Sequence, residues 1–595
     1  MKNIFNLLLC SLTLVATFGS CDINDVENYT EMSTENFPVT ESDANAVLAG
    51  IYECLNAPLE NADTKTSWLL YADLASDDQL GGGGLNDAWS QSYDFLCNVG
   101  QNQTNAFWKH RYTGINRANT LIAALPNLTT ISDEDKVMYK GEALVLRGLY
   151  YYELASMYGN VPLVTVPSGS VVTPGDVKVL WGQILQDFYI AATTMPSKRR
   201  TDGHVDKYVA EALLARAFLF YTGFYCNGET ISDLTSTTYN PLQEVALPNG
   251  ISLTKGMVCD LIDDCINNSG YSLVSDYREL WAYTNRFTVE DYDYTKGQNL
   301  KWAENDNAVN PESMMAIKFN KLAQWPVTGY ANGLALYEGV RGAQKYANTF
   351  PFGMGWGCGP VAPNLVSDWI STEPDDPRLE ASIQDVRKLP KYKYGGYDDY
   401  VQETDYYAKK KAPISAKNDG SQGEKYPVSK VPYFCCFENL MYGTDGWIKG
   451  ANYYQLNNIH DLVLMRFADV LLMQSELQES ISGINKVRAR AGLRPIAKYS
   501  LEALQNERRH ELAFEGTRWN DIRRWHIAAS ALERQTNQPI YLAGKADKNT
   551  AHNGGYAERY NATAGFAKMP DSQVSIGSVP QNAGYSDASS EYTGW

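Results

Sequence analysis

The chain has 595 residues, 20% of them charged and 44% hydrophobic, which is typical of a folded protein with a large core. Its formal net charge of -18 argues against a nucleic-acid partner, because phosphate backbones are bound through clustered Lys and Arg. The same charge disfavours acidic polymers as ligands.

The N-terminal segment, residues 1–20, has the features of a cleaved export signal: one Lys, a short apolar run, then two small residues before Cys21. Small residues directly before a cysteine are similar to a bacterial lipobox. We therefore expect Cys21 to carry acyl chains that hold the protein at a membrane. The alternative is an ordinary signal peptide, with Cys21 as a plain cysteine. No later stretch is apolar enough to predict a membrane span.

Helical periodicity is strong in the first third of the chain and again near its end. In the first of these segments Gly159 and Pro162 end the pattern. The predicted helical segments are 141–163, 203–223, 460–478 and 481–491. Between about residue 226 and residue 459, Gly, Asn, Tyr and Trp are frequent and long helical stripes are few, which predicts functional loops.

One domain at 21–595 is predicted to follow the signal peptide, because no long Pro/Gly/Ser linker divides the chain. Its expected parts are a helical scaffold over about 40–225 and 460–530, a loop-rich ligand-binding region over about 226–459, and a loop-rich tail over 531–595.

The segment 506–525, NERRHELAFEGTRWNDIRRW, combines many charges with apolar residues at helical spacing. Glu507, Glu511 and Glu515 recur every four residues, which predicts one shared helix face. Charges so close to a core need partners, and we interpret the cluster as locking helices together. The available arginines are Arg508, Arg509, Arg518, Arg523 and Arg524.

Several motifs resemble, in order and spacing, those of the SusD/RagB family of outer-membrane lipoproteins, which capture glycans for a TonB-dependent transporter. They are GEALVLRGLYYYELASMYGNVPL at 141–163, GHVDKYVAEALLARAFLFYTG at 203–223, GMGWGCGPVAPNLVSDWISTEPDDPR at 353–378, the charged segment at 506–525, and QNAGY at 581–585. The resemblance implies a mainly α fold, with a tetratricopeptide-like scaffold of helical hairpins and long irregular loops on the ligand side. It also implies a lipid-anchored protein on the surface of a Gram-negative bacterium, with a glycan and a SusC-like TonB-dependent transporter as partners.

A glycan site needs aromatic platforms beside amide or carboxylate groups, because sugars present apolar C–H faces and hydroxyl edges. Two irregular regions supply this mixture: 76–93, and the loop-rich region that contains Trp281, Trp302 and Trp325. We expect 76–93 to be an exposed loop, so that Trp89→Ala weakens glycan retention with little change in melting temperature. The candidate ligand-binding residues are Asp78, Asn86, Asp87, Trp89, Trp281, Trp302, Trp325 and Trp356. Trp89, Trp302 and Trp325 resemble members of the family's aromatic arc by position only.

No catalytic, cofactor or metal site is predicted. His510-Glu511 lacks the second His of a zinc-protease helix, because Phe514 occupies that position. The glycines at 81–84 are not followed by the Lys of a phosphate-binding loop and are expected to allow a special turn or close backbone approach. A surface glycoside hydrolase using paired carboxylates, a RagB-like peptide-capturing lipoprotein and a structural helical adaptor stay open as alternatives. The cysteine spacings do not reveal the disulfide state.

Overall fold

The structure, a computed structural model, describes the chain from residue 37 to residue 585 with internal gaps. The described residues are 37–56, 67–85, 87–94, 105–304, 309–320, 331–341, 349–353, 355–389, 391–395, 400–417, 433–435, 458–550 and 555–585. Over these residues the protein is mainly helical, and its short strands form two-stranded sheets. The predicted export signal and Cys21 lie outside the described residues.

The first part of the scaffold is a row of helices in which each long helix packs against the next. The helices are α1 (Glu41–Asn56), α2 (Trp68–Leu74), α3 (Ala88–Tyr93), α4 (Asn105–Ala124), α5 (Asp133–Tyr158), α6 (Val177–Thr194), α7 (Lys207–Phe224), α8 (Ile231–Leu234) and α9 (Lys255–Asn268). Contacts run from α1 to α4, on through α5 and α6 to α7, and then to α9. Such a row buries helix faces that no single pair would bury.

Helix α5 shows how the sequence specifies this scaffold. Ser132 caps its N-terminus by accepting a hydrogen bond from the Asp135 amide at 3.1 Å, and Gly159 ends it with a φ of 79°. A Cβ at Gly148 would lie 3.0 Å from the Phe188 ring, so the glycine lets α6 approach closely. The predicted helix in 141–163 and its end at Gly159 are confirmed.

The remaining helices follow a long irregular stretch that contains only short elements. They are α10 (Leu334–Glu338), α11 (Pro363–Thr372), α12 (Pro377–Ser382), α13 (Phe467–Gln478), α14 (Ile481–Arg490), α15 (Leu501–Leu512), α16 (Arg518–Arg524), α17 (Ala528–Glu533), α18 (Tyr556–Thr563) and α19 (Asp571–Ser575). Helix α13 packs on α9, α14 and α15, which continues the scaffold.

The strands pair as antiparallel ribbons beside these helices. The pairs are β1 (Glu244–Ala246) with β2 (Ser252–Thr254), β3 (Ser313–Ile317) with β8 (Leu462–Arg466), β4 (Ile383–Asp385) with β5 (Tyr406–Ala408), β6 (Ser415–Lys417) with β7 (Tyr433–Cys435), and β9 (Pro539–Leu542) with β10 (Lys545–Lys548). Strand β8 corrects the prediction of a helix over 460–478, because the helix begins only at Phe467. The β3 strand satisfies the β8 backbone, and a partner so distant in sequence leaves no local signal.

A buried network of ion pairs joins α15 to the loop-rich middle of the chain. Glu507 and Glu511 lie on α15 as the spacing predicts, but Glu515 lies beyond the end of the helix. Arg378 of α12 contacts Glu507 at 2.6 Å and Glu511 at 2.9 Å. Arg466 of β8 contacts Glu515 at 2.7 Å. All of these side chains except that of Glu515, which is 11% exposed, are buried, so each charge depends on its partners.

The arginines of 506–525 do not neutralise the three glutamates, and the expectation that they would is wrong. Arg523 donates to the Ser156 carbonyl at 2.7 Å and lies over the Phe224 ring, 4.5 Å from its centroid. The other partners are Asp469 and Asp521 for Arg508, Asp77, Asp78 and Asp368 for Arg509, Asp77 for Arg518, and Glu476 and Asp521 for Arg524. The segment therefore ties several elements together, as its structural interpretation predicts.

The predicted fold class, a mainly α protein with a tetratricopeptide-like scaffold, is confirmed. Among the described residues, every helix is too short or too polar to cross a bilayer.

Candidate ligand-binding site

Two segments that the sequence singles out, 76–93 and 353–378, lie side by side. Gly82 and Cys358 form an antiparallel bridge, and the Gly83 amide donates to the Gly357 carbonyl at 3.0 Å. Helix α3 follows the four-glycine loop, so this contact places α3 close to the turn that contains Trp356.

The glycines make this close approach possible. A Cβ at Gly82, where φ is 63°, would lie 2.4 Å from the Gly357 carbonyl oxygen. A Cβ at Gly357, where φ is 75°, would lie 2.5 Å from the Tyr400 hydroxyl. Only glycine fits either position, which confirms the expectation of close backbone approach in the four-glycine loop.

A series of aromatic rings runs outward from α3. The Trp89 ring lies 5.7 Å from Tyr93 and 5.5 Å from Tyr337, and the Tyr337 ring lies 5.0 Å from Trp356, all edge to face. Trp89 is only 3% exposed, whereas Trp356 is half-buried. Of Trp89 and Trp356, Trp356 is therefore the tryptophan that is partly exposed.

Polar groups hold the backbone of Trp356. Arg341 Nη1 donates to the Trp356 carbonyl at 2.8 Å and lies 3.6 Å from the Asp87 carboxylate. Asp87 also accepts from the Gly84 amide at 2.8 Å. The Arg341 guanidinium lies over the Tyr400 ring, 5.3 Å from its centroid. We call Asp87, Arg341 and Trp356 the Trp356 patch. It combines an aromatic face with a cation and a carboxylate.

Asp78 and its neighbour Asp77 are buried, so the expectation of an exposed loop over 76–93 is wrong. Arg509 Nε lies 2.7 Å from Asp78, and Arg518 Nε lies 2.7 Å from Asp77. Burial raises the pKa of Asp78; at Asp77 burial is more than offset by Arg509 and Arg518, which hold its pKa below its ordinary value. Paired guanidinium groups thus make it possible to bury a polar stretch that reads locally as a surface loop.

The other predicted tryptophans lie away from an open surface or outside the described residues. Trp281, 8% exposed, packs edge to face on Tyr277 at 5.7 Å, with the Lys410 ammonium 4.9 Å from its ring. Trp302 is 4% exposed. Asn86 and Trp325 lie outside the described residues.

Of the predicted site residues, the structure brings Asp87, Trp89 and Trp356 together. Sequence reasoning missed Tyr337 and Arg341, which complete the ring series and the patch. No local signal marks them, because their role depends on partners from α3 and from the glycine-rich turn.

Within the described ranges, no group of three or more His, Cys, Asp or Glu side chains is placed to hold a metal ion. The cysteines described there are free thiols: Cys54, Cys226, Cys259, Cys265 and Cys358. Cys265 and Cys54 are buried, and burial raises the pKa of both thiols. The Cys435-Cys436 pair lies outside the residues whose side chains are described.

The fold defines the class of this protein: it is a helical-repeat protein with a loop-built aromatic patch. Comparison with known sequences identifies the family within that class. The SusD family profile matches residues 349–585, and a profile described as "starch-binding associating with outer membrane" matches residues 24–219. The chain belongs to the SusD family.

Individual relatives are distant but similar over nearly their whole length. SusD-like protein P38 of Formosa agariphila is 23% identical over 580 residues, covering 89% of this chain and 94% of that protein. A laminarin-binding SusD-like protein of known structure has a TM-score of 0.63 at 23% identity, covering 92% of this chain and 100% of that one. Surface glycan-binding protein A from Bacteroides thetaiotaomicron, in complex with laminarihexaose, has a TM-score of 0.63 at 18% identity, covering 91% and 99%. These structures share the fold.

Proposed function

We propose that this protein captures glycans at the cell surface through the Trp356 patch, without catalysis. The observation that carries the proposal is the half-buried Trp356 ring, held from behind by Tyr337 and through its backbone by Arg341. A rigid, partly exposed ring suits the apolar C–H face of a sugar. Asp87 and Arg341 would accept from and donate to its hydroxyl groups.

A single patch of this size supports weak binding. One stacked ring contributes on the order of 1 kcal/mol beyond burial, and association costs reduce the net affinity. A polysaccharide with many equivalent units compensates, because neighbouring units raise the effective concentration. We therefore expect the protein to retain polymers better than short oligosaccharides.

Two findings support a saccharide over other ligands. The names of two structures with this fold mention laminarin and laminarihexaose, and the description of one family profile mentions starch.

The ion pairs of Asp77 and Asp78 support the absence of catalysis, because arginine side chains engage both carboxylates. A glycosidase pair needs carboxylates that flank the scissile bond.

The proposal includes delivery of the captured glycan to a SusC-like TonB-dependent transporter, with the protein anchored through Cys21. A family profile described as associating with the outer membrane supports this location. Cys21→Ser should move the protein from the membrane fraction to the soluble fraction. Equal membrane retention by the variant would contradict the anchor.

The remaining residues predicted from the sequence to contact the ligand fall into two groups. Ligand contact by Asn86 and Trp325 stays a prediction. We assign interior positions to Asp78, Trp89, Trp281 and Trp302, because a ring or carboxylate so covered offers little area to a sugar.

Affinity electrophoresis against a polysaccharide panel tests the function. Trp356→Ala should lose most of the retention shown by the parent. Tyr189→Ala, which removes a half-buried aromatic ring from α6, should retain polysaccharide like the parent. Equal retention by Trp356→Ala and the parent would remove the patch from the site. Retention of peptides but of no polysaccharide would favour the RagB-like alternative.

A further inference from the structure

A second concave surface lies on the face formed by α11, α12 and the β4–β5 ribbon. This groove has a volume of about 630 Å³, within the range of sites for small ligands. Its lining includes none of the three residues of the Trp356 patch. We propose that this α12 groove is a second saccharide site, which takes neutral, hydroxyl-rich sugar units and rejects acidic ones. The proposal rests on the glycan capture proposed above.

The walls of the α12 groove offer apolar faces suited to sugar rings. Tyr294 and Tyr406 are half-buried with their rings in the lining, and Ile370 of α11 is 51% exposed beside them. An isolated exposed isoleucine is ordinary on a protein surface, but here it faces a cavity with two tyrosine rings. The combination is that of an amphipathic binding surface.

The same groove contains polar groups to which the described residues offer no ion-pair or hydrogen-bond partner. Asp293 and Asp375 are exposed in the lining, and neither has an ion-pair partner among the described residues. The Tyr294 hydroxyl is buried, and the described part of the chain provides it with no hydrogen-bond partner. A carboxylate accepts from two sugar hydroxyls, and a ligand hydroxyl at the groove floor would satisfy the phenol.

The cationic groups of the groove are already engaged. Arg387 lies 2.7 Å from Asp385, and Lys388 lies 3.3 Å from Glu380. The Lys409 amine is buried 3.5 Å from the Tyr294 ring centroid, and burial lowers its pKa well below the ordinary value. The uncompensated charge is therefore negative, so a uronate or sulfate group would meet repulsion whereas a neutral sugar would not.

Equilibrium binding of neutral hexasaccharides (laminarihexaose, maltohexaose and cellohexaose) and of an oligogalacturonate tests the proposal. Asp293→Ala with Asp375→Ala forms the groove variant. Asp260→Ala with Glu558→Ala is its control, because it removes two exposed carboxylates outside the groove with the same change in net charge. All proteins are compared with and without Trp356→Ala, and their melting temperatures are measured.

In the Trp356→Ala background, the groove variant should bind the neutral hexasaccharide roughly tenfold more weakly than the control, because hydrogen bonds to charged groups are lost. The ratio of affinities for the neutral hexasaccharides and the oligogalacturonate should fall in the groove variant and stay unchanged in the control. Groove variant and control binding alike in both backgrounds would overturn the second site while leaving glycan capture intact. A basic peptide that binds the groove and is not displaced by any of the neutral hexasaccharides would also overturn it. A parent that binds no saccharide would overturn both proposals.

Discussion

Arg378 of α12 and Glu507 of α15 form an ion pair at 2.6 Å. This pair joins the helix that borders the α12 groove to the scaffold. Both side chains are buried, with 0% and 2% of their side-chain surface exposed. Arg378 also contacts Asp376 and Glu511, so one guanidinium serves three carboxylates. The loop-rich middle of the chain is thus held to the scaffold by charge pairing as well as by apolar packing.

Arg378→Met should lower the free energy of unfolding by about 3–5 kcal/mol, because it leaves buried carboxylates without their shared partner. Arg387→Met is the control. Its side chain is 53% exposed, and its ion pair with Asp385 should contribute less than about 1 kcal/mol. Urea denaturation of both variants measures the difference. Equal losses would show that burial of the network does not determine its contribution.

Glu211→Gln should be more stable than the parent, and the difference in their free energies of unfolding should grow as the pH rises. Glu211 is buried with Lys207 3.3 Å away, and burial raises its pKa to about 9. Because the unfolded carboxyl titrates near its ordinary pKa of about 4.5, the folded state binds more protons between these values. The stability contributed by the protonated carboxyl is therefore present at low pH and is lost as the pH rises towards 9.

Denaturation at pH 5.5 and 7.5 checks the sign. The advantage of Glu211→Gln over the parent should grow by about 2.7 kcal/mol between these pH values. Glu502→Gln, at an exposed position on α15, should show no such growth. An advantage that shrinks as the pH rises would contradict the assignment.

Trp89→Ala should lower the melting temperature strongly, because a 3% exposed indole that packs on Tyr93 and Tyr337 leaves a cavity costing about 3–5 kcal/mol. This reverses the expectation from the sequence, which assumed an exposed loop. Trp356→Ala removes a half-buried ring and should cost less. Differential scanning calorimetry compares the two. A nearly unchanged melting temperature for Trp89→Ala would show that its ring is not part of the core.

Gly357→Ala should weaken polysaccharide retention severalfold and destabilise the fold, because the new Cβ would meet Arg341 and Tyr400 at 2.5 Å. Gly297→Ala isolates the crowding. Its φ of 71° is similar to the 75° of Gly357, but a Cβ there would have no neighbour within 4 Å. Both variants carry the backbone cost of a side chain at positive φ, about 1 kcal/mol. Normal retention by Gly357→Ala would show that the turn does not position Trp356.

The helical scaffold was predictable because its signals are local. Ser132 and Gly159 mark the two ends of α5, and the residues between them recur with the helical period. Strand β8 escaped prediction because its apolar residues precede a helix without a break, and its partner β3 is distant in sequence. Periodicity alone does not separate such a strand from the first turn of a helix.

The candidate site was predictable only in part. Trp356 and Asp87 carry signals in their glycine-rich surroundings, but Arg341 joins them through tertiary contacts alone. Asp78 was misplaced for the opposite reason. Its polar neighbours indicate a surface loop, and the Arg509 that permits its burial lies 431 residues away.

The central claim is that this protein holds saccharide and leaves it uncut. Incubating the purified mature chain with a polysaccharide that it retains, and then measuring both the bound saccharide and the free reducing ends, tests this most directly. The account predicts that the bound chains are recovered at their original length and that reducing ends do not increase with time. A steady increase in reducing ends, lost on substitution of a carboxylate, would contradict it and identify a hydrolase.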